Sequence, residues 1–426
     1  MFQVGFPKIK TALEFAVENK FSSFYKDKYG KEKFNIKKVN SYADFQKIPF
    51  LTKKEIAKVP PFKRLFMPEK EVSCWLRTSG TTSKKPLLIP ASRYVHENID
   101  ILAEMMAHNK VKRFLFLRPL GGLVLDLSDF PFHPKLSAYP LILGDISNLD
   151  LTSKIIANLE VDAIDVTPSA LYFLIPYLKD VYDLRKIRFL RILGEFVSEQ
   201  KSNFFRSYFK NAYFHYDIGI AETRGGIGVR CSFLDNNYAP RFYHTKSDLL
   251  HEVINEKGDI VENGNEGELV LTTLFKTPFP LIRYRTSDSV KISEIKCICG
   301  REGLMEHNGR IGYDSIRVGG VTVYTHLVDE ALSKSFNGQF VGVYELHVSE
   351  EVYKNRLVPR LILKIASQKF ADSKVIAKKI ESNLKVGSNI YLNSLVSKEI
   401  FAPLVVEKVD KFEETYKKLN IISHLK

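Results

Sequence analysis

Cysteine is scarce in this chain: 4 in 426 residues, too few to hold so long a polypeptide as a disulfide framework and in keeping with a reducing compartment. No apolar run approaches the roughly 18 residues of a membrane span, so no membrane-crossing segment is expected. The first twenty residues distribute charge and aromatics as an amphipathic helix does, without the uninterrupted apolar core of a secretory signal, and a cytoplasmic location follows as the expectation. Internal repeats and low-complexity tracts are also missing, which argues against a solenoid or a disordered chain.

Positive charge is plentiful. The formal net charge is +14, from 63 Lys and Arg against 49 Asp and Glu. A nucleic-acid or acidic-membrane partner would call for these charges in one block, whereas Lys8, Lys26, Lys110, Lys374 and Lys417 are scattered. A solvated basic surface is therefore expected, with no nucleic-acid partner, and the field would also favour a phosphate-rich substrate. Hydrophobic content of 45% and charged content of 26% are ordinary for a globular protein, and the length suggests two or three domains.

Residues 1 to 70 have a helical pattern, with Ala12, Phe15, Ala16, Phe21 and Phe24 spaced for one buried face. From Arg113 short apolar runs (114–117, 123–125, 141–143) lead into an alternation of helix 151–159, strand 161–166, helix 170–178, strand 189–193, helix 199–208 and strand 213–218. Such alternation implies βαβ units and a largely parallel sheet. Near residue 250 the character changes to antiparallel strands with glycine-bearing turns, a β subdomain. After Gly309-Arg310 the pattern restarts as helix 326–335, strands 340–348 and 357–365, helix 373–384 and strand 390–396. The expected fold is α/β: a large N-terminal domain, 1–310, with parallel sheets and a β subdomain, and a small α+β C-terminal domain, 311–426.

Four stretches carry chemistry. Thr78, Ser79, Gly80, Thr81, Thr82, Ser83 and Lys84, followed by Lys85-Pro86, form a run of hydroxyls and unpaired amides around a glycine, closed by cations. A polar surface loop can share that composition, but the same set of donors makes a concave phosphate cradle. Glu222, at the end of the segment Ile218-Gly219-Ile220-Ala221-Glu222, supplies a hard oxygen suited to Mg²⁺. Asp288, which closes Leu281-Ile282-Arg283-Tyr284-Arg285-Thr286-Ser287-Asp288, has two carboxylate oxygens that suit a vicinal diol. Lastly, the pair Cys297-x-Cys299 lies downstream of Cys231 and His244; two small thiols in a turn are weak evidence for a metal taken alone.

In order and approximate spacing these stretches, together with Gly309-Arg310 and Arg317-Val318-Gly319-Gly320, resemble the adenylate-forming (acyl-CoA synthetase) superfamily. The run ending at Asp288 looks specifically like its phenylacetate–CoA ligase family. The resemblance extends over nearly the whole chain, with Ile48 to Lys53 and Val166 to Ser169 as supporting matches. It implies a nucleotide-binding N-terminal domain and a mobile C-terminal domain, ATP with Mg²⁺, an acyl-adenylate intermediate, release of AMP, and transfer to a thiol, most naturally CoA. Alternative acceptors are a carrier-protein thiol or an amine, and a degenerate nucleotide binder is the non-enzymatic alternative. The acid would be aromatic or a small acyl compound, and an oligomer is left open.

On this resemblance the phosphate loop, including Thr82, would hold the phosphates. Gly194 and Glu195 would meet the base, Gly219 would belong to the nucleotide-binding set, Asp288 would hold the ribose, Arg310 the ribose and phosphate, and Glu222 would hold Mg²⁺. Ile218 and Ala221 stand where the family has an aromatic and a hydroxylated residue. Lys408 would be the catalytic lysine, with Lys398 and Lys411 as alternatives. Cys231, His244, Cys297 and Cys299 would hold a structural Zn²⁺, with His251 as an alternative fourth ligand.

Overall fold

The computed structural model describes residues 5–78, 87–92, 97–118, 136, 139–223, 225–339, 341–366, 372–387, 390–413 and 420–425. Helix α1 (Phe6–Val17) buries Ile9, Ala12, Leu13, Ala16 and Val17, the spacing of one helical face. Phe21 departs from the expected buried set: it is 47% exposed. The chain turns just before it, where the Asn19 side chain accepts from the Phe21 and Ser22 amides, and this takes the ring off the helix face. Helix α2 (Phe24–Lys31) follows, then the short α3 (Lys53–Ala57), which starts at a reciprocal Thr52/Glu55 capping box. Strands β1 (Cys74–Arg77) and β2 (Leu88–Ala91) pair antiparallel, and helix α4 spans Glu97–His108.

The parallel sheet comes next, built from β3 (Phe114–Leu117), β4 (Leu141–Leu143), β5 (Ala163–Val166), β6 (Phe189–Ile192) and β7 (Tyr213–Tyr216) in the order β4-β3-β5-β6-β7. Its three inner strands, β3, β5 and β6, are buried on both faces. Crossover helices α5 (Leu149–Asn158), α6 (Pro168–Leu178) and α7 (Glu199–Tyr208) each begin at a side-chain cap, Asn148, Thr167 and Ser198 respectively. These local signals are why the helices start close to where the sequence pattern puts them. The apolar run 123–125 lies outside the described residues.

A six-stranded antiparallel sheet follows, of β8 (Gly228–Val229), β9 (Phe242–Thr245), β10 (Leu249–Ile254), β11 (Glu266–Thr273), β12 (Tyr284–Lys296) and β13 (Glu302–Arg310), ordered β8-β9-β13-β12-β11-β10. The amino-terminal helices share one apolar core with it, joining Ile9 and Leu13 to Leu269, Leu271 and Tyr284. Beyond Arg310 come the hairpin β14 (Ser315–Val318) and β15 (Val321–Tyr324), helix α8 (Thr325–Ser335), strands β16 (Tyr344–Tyr353) and β17 (Arg356–Ile365), helix α9 (Ser373–Asn383), β18 (Val405–Lys408) and β19 (Ile421–Ser423). Their sheet runs β18-β17-β16-β19, and their core draws its buried residues from Ile316 to Ile421.

The segment 390–396, expected as a strand, is extended only at Ile390–Tyr391; Leu392–Ser397 is a short helix burying Leu392 and Leu395. A short apolar run does not distinguish the two periods, and burial of residues three apart decided for helix. The fold is α/β as expected, with one parallel sheet rather than several among the described residues. No helix of the described residues is long and apolar enough to cross a membrane.

Candidate functional site

A cleft opens where the carboxyl ends of β6 and β7 face the β12–β13 pair. Among its lining residues are Gly194, Glu195, Gly219, Asp288 and Arg310, five residues marked out by sequence and drawn from four separate stretches. Strand ends of an open parallel sheet leave such crevices because the connecting loops diverge there. Two glycines are required by local geometry. Gly194 sits at φ +89°, where other residues are strained, and a Cβ on Gly219 would lie 2.7 Å from the Gly225 carbonyl oxygen.

Asp288 and Arg310 are register partners across β12 and β13. The Asp288 carboxylate is buried; Oδ1 lies 3.1 Å from His307 Nε2, whereas Oδ2 has no hydrogen-bond partner. Burial alone would raise the pKa of this acid, but the His307 hydrogen bond and the Arg310 charge outweigh it and hold the group below the ordinary aspartate value. For Arg310, burial works against the cation, while Asp288 and Glu222 reinforce it and raise its pKa. His307 lines the cleft and was not marked out by sequence; it belongs to a different strand from Asp288 and no spacing announces the pair.

Glu222 is buried, 5% exposed, on a short turn of helix. Its Oε1 accepts the Tyr284 hydroxyl at 3.1 Å and lies 3.2 Å from Lys53 Nζ. Burial raises the Tyr284 pKa well above its ordinary value, so the phenol stays a donor. Lys53 projects from the capped start of α3, and sequence reading had placed it only within a supporting match. A buried carboxylate oxygen is a donor of the kind Mg²⁺ takes, the ion drawing its other ligands from water and substrate.

Thr78, the first residue of the Ser- and Thr-rich stretch, is tied to Leu87: its amide donates to Leu87 O at 2.9 Å, and its hydroxyl accepts from the Leu87 amide at 2.9 Å. Ser79, Gly80, Thr81, Thr82, Ser83 and Lys84 lie outside the described residues. Behind the cleft, Asp217 closes a buried chain of charges, Arg118–Asp165–Arg191–Asp217, with separations of 2.5, 3.1 and 2.5 Å. Each charge in it has an opposite neighbour, which makes burial tolerable. Lys408 is exposed at the end of β18, and neither it nor Lys398 or Lys411 lines the cleft.

A second cluster gathers Cys231, His244, Cys297 and Cys299, whose ligand atoms all fall within 4.8 Å of one another. His244 Nε2 is 3.4 Å from Cys231 Sγ and 3.5 Å from Cys299 Sγ, and its Nδ1 is 3.3 Å from the Gly303 carbonyl, an acceptor that places the ring proton on Nδ1 and turns Nε2 towards the thiols. Three thiols and an imidazole match the donor set of a closed structural zinc site. His251 is placed elsewhere, donating Nε2–H to the Ile227 carbonyl at 2.7 Å; the β9 strand carries His244, not His251, to the thiols.

No protein-family model matches the chain. It is similar to phenylacetate-coenzyme A ligase of Pseudomonas putida, 25% identical over 338 residues that make up 72% of this chain and 69% of that protein. It is likewise similar to the Escherichia coli (strain K12) phenylacetate-coenzyme A ligase, 24% identical over 386 residues, 84% of this chain and 82% of that one. Among solved structures, 2-hydroxyisobutyryl-CoA ligase in the postadenylation state with 2-HIB-AMP superposes at a TM-score of 0.72, with 17% identity and coverage of 98% and 88%. The same enzyme with 2-HIB-AMP and CoA in the thioesterification state gives 0.59.

Proposed function

Starting from a chain that belongs to the phenylacetate–CoA ligase family of adenylate-forming enzymes, we propose that it activates a carboxylic acid with ATP and passes the acyl group to CoA. The acid's carboxylate oxygen attacks the α-phosphorus, the bond to the β-phosphate oxygen breaks, and acyl-AMP and pyrophosphate result. The thiol of CoA then adds to the acyl carbon, giving the thioester and AMP. The observation that carries this reading is the convergence of Gly194, Gly219, Asp288 and Arg310 in one cleft, with a buried carboxylate oxygen that still lacks a donor.

Asp288, steadied by His307, would accept from the ribose, and Arg310 would neutralise phosphate. Thr78 to Lys84 would cradle the outgoing phosphates. Glu222 would hold Mg²⁺, which supplies charge neutralisation when bound. The cysteine–histidine set would hold zinc as a staple, with no part in the chemistry. Residues 311–426 would act as a mobile domain that brings Lys408 to the α-phosphate for adenylation and withdraws it for thioester formation, chemistry that rests on positioning and charge rather than on a protein nucleophile.

Acid-dependent pyrophosphate release across a panel of aryl and small alkyl acids, with and without CoA, tests the proposal. Release with at least one acid and thioester only with CoA is the expected result. Thioester or amide formed only with a carrier protein or an amine would redirect the acceptor. Ile218 and Ala221 favour a second reading, nucleotide binding without turnover, and AMP binding with no release for any acid would decide for it.

A further inference from the structure

We propose that the six-stranded sheet carries a second small-molecule site, separate from the nucleotide cleft, for an amphipathic monoanion: a carboxylate or sulfonate on an apolar body. A cavity of about 480 Å³ lies against β10 and shares no lining residue with the cleft. That volume is in the range of sites that enclose small organic ligands. Leu249, Leu250, Val253, Ile260, Val261 and Ile292 give it an apolar floor.

Its charged lining consists of Lys8, Lys246 and Arg301 against Glu262 and Glu302, and with Asp248 beside Lys246 the charges balance, so a preference for an anion rests on Lys246 itself. Lys246 is the unusual member. Its side chain is only 1% exposed, and its counter-charge, Asp248 Oδ2, stands 3.4 Å away, longer than the 2.7–2.9 Å of a well-made charge-assisted bond. The other Asp248 oxygen has no partner. An ammonium has three donors, and burying it with one loose contact is costly unless another acceptor completes the shell. An anionic head group in the cavity would do so while its body covers the apolar floor.

The other groups facing the cavity add no further charge. His251 donates to the Ile227 carbonyl, and burial lowers its pKa, so it stays neutral. Lys8 Nζ donates to the Ser247 carbonyl at 2.8 Å. Lys246 follows His244 by two residues and Arg301 follows Cys299 by two, so the metal cluster ties together two walls of the cavity. The site does not depend on the adenylation reading, because none of its residues is assigned to that chemistry.

The test titrates the full chain, saturated with AMP, with 8-anilinonaphthalene-1-sulfonate followed by fluorescence, then competes the probe with octanoate and with neutral octanamide. One saturable site is expected, displaced at least ~10-fold more effectively by octanoate than by octanamide, the ratio that corresponds to about one charge-assisted hydrogen bond. Lys246→Met should weaken probe binding by a similar factor with AMP affinity unchanged. Should that variant fail to fold, the double variant Lys8→Met with Arg301→Met should still weaken it several-fold. Absence of saturable binding to the AMP-saturated chain, equal potency of octanoate and octanamide, or unchanged affinity in the folded variants would each overturn the site.

Discussion

The β12–β13 hairpin carries a polar cluster at each end, and the two ends are satisfied in different ways. At the turn, Cys297 and Cys299 meet Cys231 and His244 in a set whose members all lie close together and whose histidine is oriented by the Gly303 carbonyl. At the open end, Asp288, His307 and Arg310 face a cleft, and one buried carboxylate oxygen has no donor. A closed set of soft donors suits an ion that holds chain segments together. An open set of hard acceptors and cations suits a ligand that comes and goes. On the proposed reading the same two strands would serve a structural end and a binding end, and disabling one should leave the other largely intact.

The sharpest way to break this comparison is at the turn. Cys299→Ser should lose about one equivalent of metal and several kcal/mol of stability, since binding to a structural zinc site is folding free energy, while AMP affinity in the remaining folded protein stays within about twofold. Metal analysis, thermal melts and calorimetry report the three quantities. Wild-type protein purified without chelator and found free of zinc would make the cluster a plain buried-thiol contact.

Next in size is Lys408→Ala, which removes a charge from neither end of the hairpin. Acid-dependent pyrophosphate release should fall by roughly 10²–10³-fold, the usual effect of losing one preorganised charge at a transition state, with AMP affinity preserved. Thioester formation from supplied acyl-adenylate and CoA should survive. An equal loss of both half-reactions would point to another lysine or to misfolding.

Asp288→Ala tests the binding end directly. Losing a charged acceptor costs about 1.5–3 kcal/mol, or roughly 10- to 100-fold in AMP affinity, and metal content should not change. Equal AMP affinity in the two proteins would remove Asp288 from the ribose site.

The smallest expected effect concerns pH. The His326 ring packs at a tilt against Phe196, a cleft residue, at a centroid distance of 5.9 Å, and burial pushes its pKa down to about 4. A histidine with a depressed pKa in the folded state contributes stability that is complete above its ordinary value of 6.5 and is lost as pH falls towards 4. The loss should reach about 1 kcal/mol by pH 5.5. Urea unfolding at pH 7 and 5.5 should show that loss in wild type and a flatter profile in His326→Phe; identical slopes would mean the imidazole is protonated freely in the folded protein.

Local signals explain what could be read in advance. Helices α5 to α7 were legible because Asn148, Thr167 and Ser198 cap them and their apolar faces repeat at helical spacing. The register of Asp288 with Arg310 was not, although both residues had been singled out, because it depends on a bulge between Asp288 and Val290. Lys53 and His307 were missed as members of the site for a related reason: each meets its carboxylate partner from a different segment of chain, and a lone Lys or His carries no sign of which acid it will face. Phe21 and the segment Leu392–Ser397 were misread where a turn or a three-residue burial spacing overrode a short apolar pattern.

Residue order alone determined the α/β alternation, the antiparallel segment after residue 250 and the donor types available for phosphate, ribose and metal. These depend on period, caps and side-chain chemistry within a few residues of one another. Tertiary structure decided that His244 rather than His251 joins the thiols, that Glu222 shares its carboxylate with Lys53 and Tyr284, and that a half-paired Lys246 borders a cavity. Such pairings depend on which strands become neighbours when the apolar faces are buried, and no single stretch of the chain encodes that outcome.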